Sequence, residues 1–222
     1  MSDISRKHRP ALKRRRVLAL AAIALAISGA VTYLRLRAAD PEVAARSALL
    51  ALMDRSADRY FEYRVPAEEA LGPDRQKFRA VWRELIEPRL ARARWGRDMT
   101  STRLNDPATQ GTAQVPLRLP DGTEFLWGVV TWTTDQGPKI PVMWDTLSMA
   151  WVLDYAVDNP QAYRERRPFA EAKLAGLRRD RRRLEELGIR GMVAGNGYFL
   201  TWDQVERAWT RQSELAGKAR QP

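Results

Sequence analysis

Cysteine is missing from all 222 residues, and histidine occurs once, at His8. The first absence removes disulfides, thiolate nucleophiles, zinc–thiolate sites and iron–sulfur clusters. The second leaves no histidine beyond the basic N-terminal segment, and so no Ser-His-Asp, Cys-His or histidine-ligated metal site downstream. A phosphate-cradling glycine loop is lacking as well. The one glycine-rich stretch, GMVAGNG at 191–197, has neither the Lys-Ser/Thr of a P-loop nor the dinucleotide-binding spacing. No metal and no cofactor is expected, and any catalysis would fall to carboxylates, Tyr, Lys or Arg.

Positive charge is abundant but unevenly placed. The formal net charge is +11. Residues 1–37 hold nine Lys/Arg and one acid, a net of +8, while 38–222 hold 29 basic and 26 acidic groups, a net of +3. A polyanion-binding domain would carry the excess in its folded part, so nucleic acid is not the expected partner.

The excess flanks an uncharged run, Val17 to Leu34. As a helix it would extend about 27 Å, close to the ~30 Å hydrocarbon core of a bilayer. It is apolar all round, unlike a surface helix. Seven basic residues precede it and only Arg35 and Arg37 closely follow, which predicts a cytoplasmic N-terminus and an exported remainder. Small residues at Ser28 and Ala30 leave a cleaved signal peptide as the alternative, although the run exceeds the usual apolar length for one. The expectation is a single-pass protein of the bacterial cytoplasmic membrane. A basic tail (1–16) would face in, residues 17–34 would contact the lipid bilayer, and the C-terminal domain would face out.

Beyond the run, Asp40-Pro41-Glu42 is a helix start, and a helix is predicted to run on to Tyr63. Phe78, Val81, Trp82, Leu85 and Ile86 mark a second helix, which Pro88 should kink or close. Residues 112–155 then show β-branched and aromatic runs divided by Pro120-Asp121-Gly122 and Asp135-Gln136-Gly137-Pro138, predicting an antiparallel meander of three to five strands. Pro116 argues that its strand lies at a sheet edge. A helical tail follows from Asn159-Pro160. Phe169, Leu174, Leu177, Leu184 and Leu187 form its stripe and Gly188 its C-cap, and a capping box at Thr201–Gln204 opens a last helix. The fold class is α+β: a transmembrane helix, two helices packed on a curved antiparallel sheet (41–157) and a helical C-terminal extension (158–222).

This order of elements resembles the NTF2-like α+β cone. Placed behind an anchor, it resembles membrane-tethered NTF2-like proteins such as the VirB8-type components of bacterial secretion machines. The resemblance covers residues 41–157 and implies an interaction or scaffold module with a protein partner or a second copy of itself. NTF2-like domains also include ligand carriers and enzymes.

Three groups of residues are candidates for a site. Asp145 is in phase, counting by twos, with Leu147, Met149, Trp151, Leu153 and Tyr155, so on a strand its carboxylate would face the core and could act as a general acid or base. A bulge near Trp144–Thr146, with the carboxylate satisfying backbone donors, is the structural alternative. Trp82, Trp127, Trp132, Trp144 and Trp151 could line a pocket for a small apolar or aromatic ligand, or simply fill the core. Arg178, Arg179, Arg181, Arg182 and Arg183 could contact a partner or lipid headgroups, or pair along a solvated helix face with Glu185 and Glu186.

Overall fold

Helix α1 (Pro41–Met53) starts where Asp40-Pro41-Glu42 places it in the structure, a computed structural model describing residues 40–104, 109–194 and 197–218. The proposed basic tail and membrane anchor lie outside the described residues. Among those described, no helix is long and apolar enough to cross a membrane. The described residues from Pro41 on form one compact unit.

The predicted helix to Tyr63 is interrupted. Arg55 takes a left-handed φ of 53°, and the chain restarts as α2 (Ala57–Phe61) and α3 (Pro66–Leu71). Helix α4 (Arg75–Val81) passes through a π-helical turn (Trp82–Ile86) into α5 (Glu87–Leu90). Pro88 has no N–H for an ordinary helical bond, and the widened turn accommodates it: the Glu87 N–H reaches back to Trp82 O.

Four strands make one small antiparallel sheet. Strand β3 (Thr109–Arg118) pairs along its length with β4 (Glu124–Trp132), and its other edge takes β1 (Arg94–Trp95) and β2 (Thr100–Arg103) in succession. The β3–β4 turn has Gly122 at φ 84°, and the next has Gly137 at φ 87°, both where turn chemistry was predicted. Pro116 is therefore in the central strand, contrary to the edge expected for it. The reason is local. Gly96 donates to Pro116 O at 2.7 Å, so the missing Pro116 N–H faces the break between β1 and β2, where no ladder bond is lost. A side chain at Gly96 would collide with Pro116 there.

Alternation divides the sheet. Ala113, Val115, Leu117, Phe125, Trp127 and Val129 face α1 and are buried, whereas Thr112, Gln114, Leu126, Gly128 and Val130 lie on the opposite face.

After β4 the meander stops. Trp132 and Lys139 exchange backbone bonds at 2.7 and 3.1 Å, and the chain then enters a long helix, α6 (Val142–Asp158). The strand predicted over Asp145–Tyr155, and the bulge near Trp144–Thr146, are corrected: both lie on this helix. Its side chains are apolar in both the even and the odd positions, so counting by twos cannot distinguish a strand from a helix buried on most sides. Pro141 before it and Asn159-Pro160 after it bound a run far longer than a typical strand.

Helices α7 (Pro160–Arg166) and α8 (Phe169–Glu186) pack back onto α6. A hairpin, β5 (Gly191–Val193) with β6 (Phe199–Thr201), leads to α9 (Trp202–Lys218). Gly188 ends α8 at φ 73°, and the Gln204 side chain accepts from the Thr201 N–H at 2.9 Å, as the capping signals predict. The apolar core runs without interruption from Ala45 to Trp209, so residues 158–218 enlarge the core of 41–157.

Candidate functional site

A cleft of about 380 Å³ opens between the outer face of β3–β4 and helices α6, α7 and α8. Its sheet wall is Thr112, Gln114, Leu126, Gly128 and Val130, with Glu124 at one end. Its helical wall is Trp144, Asp145, Ser148 and Met149 from α6, Tyr163, Phe169 and Lys173 from the following helices, and Arg167 between them. Leu126 and Phe169 are 49% and 40% exposed, which leaves apolar surface at this cleft open to solvent.

Helical spacing puts Asp145 and Ser148 on one face of α6. Among the described residues, six buried side-chain polar atoms have no hydrogen-bond partner, and four of them are on Tyr60, Trp82, Trp95 and Trp127. The other two, Asp145 Oδ2 and Ser148 Oγ, belong to residues that line this cleft. Burial pushes the Asp145 carboxyl up to about 7, against the opposing pull of the Val130 N–H and the Lys173 charge. Burial also lowers Lys173, while Asp145 partly restores it. The two charges influence each other without coming within ion-pair distance. The Lys173 ammonium lies 5.9 Å from the Trp209 ring centre.

The position of Asp145 depends on a residue that sequence reading missed. Glu68, on α3, is buried and accepts from the backbone N–H groups of Val142 (2.9 Å) and Met143 (3.0 Å). It thus caps the N-terminus of α6 from a distant segment, satisfying donors that a helix start leaves open. Burial raises its carboxyl to about 8 despite those two bonds. Nothing in PAEEAL separates Glu68 from its neighbour Glu69. Lys173 was missed as well, although it stands four residues from both Phe169 and Leu177, in phase with the predicted apolar stripe.

The tryptophans mostly do something other than line a pocket. Trp82 packs in the core against Tyr60 and Phe78, and Trp127 against Trp95 and Phe125. Trp151 is buried, and its indole N–H donates to Asp180 at 2.6 Å. Trp132 is partly buried at the end of β4. Only Trp144 of the five lines the cleft, where its ring lies 5.4 Å from that of Trp209.

Each arginine of the α8 run meets a carboxylate of its own chain. Arg178 pairs with Glu206, Arg179 with Asp154 and Asp180, Arg181 with Glu185 and Asp203, Arg182 with Glu186, and Arg183 with Glu84 and Glu186. Asp180, in the middle of the run, is buried and also takes Arg89 at 2.8 Å. Among the described residues there is no group of three or more His, Cys, Asp or Glu able to hold a metal.

Comparison of the chain with protein-family models, curated proteins and solved structures finds no match in any of the three.

Proposed function

We propose that residues 41–218 form a binding module for a small ligand with an apolar body and a polar head, held to a membrane by residues 17–34. The observation that carries this reading is that two unpartnered buried polar atoms, Asp145 Oδ2 and Ser148 Oγ, belong to neighbouring residues lining one cleft with an aromatic wall. Buried polar groups in native proteins almost always find partners, and a ligand head would supply them here. A scaffold role draws less support, because the arginines expected to meet a partner already pair with carboxylates of their own chain.

The test is a chemically varied set of small amphipathic molecules, read by the intrinsic tryptophan fluorescence and melting temperature of the full chain. Trp144 is the reporter. A binder should lose its fluorescence signal in Trp144→Phe while still raising the melting temperature. A set that moves neither readout rejects the module.

Asp145 also supports a second reading. A carboxyl titrating near 7 in a cleft suits general acid–base catalysis. Turnover of a bound ligand that Asp145→Asn abolishes, with binding retained, would favour catalysis over carriage.

A further inference from the structure

The polar groups of the cleft have a sign pattern that narrows the ligand. Asp145 Oδ2 is a buried acceptor without a donor, and Ser148 Oγ is a buried hydroxyl without a partner. Lys173 brings an ammonium to the same space, and it forms no ion pair with Asp145. The two opposite charges line one cleft and do not pair with each other, so each is open to a ligand group of the other sign. The outer charges, Glu124 and Arg167, oppose one another too. With Asp145 ionised, the lining has two negative and two positive side chains and favours neither a purely anionic nor a purely cationic ligand. The rest of the helical wall is apolar and aromatic: Trp144, Met149, Tyr163 and Phe169.

We propose that the cleft binds a free α-amino acid with an apolar or aromatic side chain, its ammonium on Asp145, its carboxylate on Lys173 and Ser148, and its side chain against Trp144 and Phe169. This rests on the binding-module reading and specifies its ligand class. The zwitterion supplies a donor to the unpartnered Asp145 oxygen and an acceptor to the Lys173 ammonium, so each charge gains an opposite one.

Calorimetric titration of the full chain with L-phenylalanine, phenethylamine and 3-phenylpropionate tests it, since the last two each keep the ring and one of the two charges. The expected result is binding of phenylalanine, with each analogue weaker by roughly 10- to 100-fold, the worth of one charge-assisted hydrogen bond. Asp145→Asn should remove most of the preference for phenylalanine over 3-phenylpropionate. Lys173→Met keeps an unbranched apolar stem and should remove the preference over phenethylamine, which covers the case in which the first variant does not fold. If either analogue binds as tightly as phenylalanine, the zwitterion is wrong and the binding module stands. The same holds if other members of the amphipathic set bind and phenylalanine does not. If nothing binds, both readings fall.

Discussion

Helices α6 and α8 bury carboxylates in two ways. Asp180 sits in a closed network: Arg89 and Arg179 pair with it, the Trp151 indole donates to it, and Arg89 and Arg179 go on to Asp154, which Arg92 also reaches. Asp145, less than three turns before Asp154 on α6, has an oxygen with no partner and a lysine that stops short of pairing. Burial of a charge is costly unless it is matched, so the first arrangement is complete within the chain, and the second is the one on which the proposed binding site rests. The arginine-rich stretch, conspicuous in the sequence, is the structural one. The cleft is marked by single residues that no run announces.

The sharpest way to break this comparison is Asp180→Ala. It removes one side of a network whose Arg89 side chain is only 11% exposed, and leaves that guanidinium short of a partner. A loss of about 3–5 kcal/mol in unfolding free energy is expected by denaturant titration. Trp151→Phe keeps most of the ring but deletes the bond to the Asp180 carboxylate, and should cost about 2 kcal/mol in the same measurement.

Asp145→Asn should act in the opposite direction. The folded carboxyl, raised to about 7 from an ordinary 3.8, holds its proton more tightly than the unfolded chain does. Its contribution to stability is complete below about pH 4 and is lost as pH rises through about 7. The variant escapes that loss and should exceed the parent by about 1 kcal/mol at pH 8, less than full conversion of the shift because solvent reaches the cleft. Glu68, raised to about 8 in part by the Asp145 charge, gives a loss of the same sign at higher pH that the variant also lessens, so the difference between parent and variant reports Asp145 together with its effect on Glu68. A variant no more stable than the parent at pH 8 would put Asp145 in the same class as Asp180. The smallest effect is expected from Arg182→Ala. Its side chain is 92% exposed beside Glu186, and melting should report a change below about 0.5 kcal/mol.

Much of the frame was legible. Turns at Gly122 and Gly137, the cap at Gly188 and the Gln204 capping contact all depend on neighbours in the chain, and each lies where turn and cap chemistry puts it. Residues 142–158 were not legible by alternation. A segment apolar on every side carries no phase, so length and the flanking prolines had to decide. Asp145 was identified as a buried acid from strand phase, yet its burial comes from helical packing. The structure replaces the reason for its burial.

The sequence by itself determined the start of α1, the turns at Gly122 and Gly137 and the end of α8, which chemistries lack their residues, and that positive charge is concentrated before and around residues 17–34. Those are matters of local backbone preference and of composition. Only the tertiary structure decided that Glu68 caps α6, that a proline sits in the central strand, that the arginines of α8 meet partners as far off as Glu84, and that Asp145, Ser148 and Lys173 share one cleft. Each of these joins residues distant in the chain, and whether a buried charge has its partner is settled by that packing, not by the residues on either side of it.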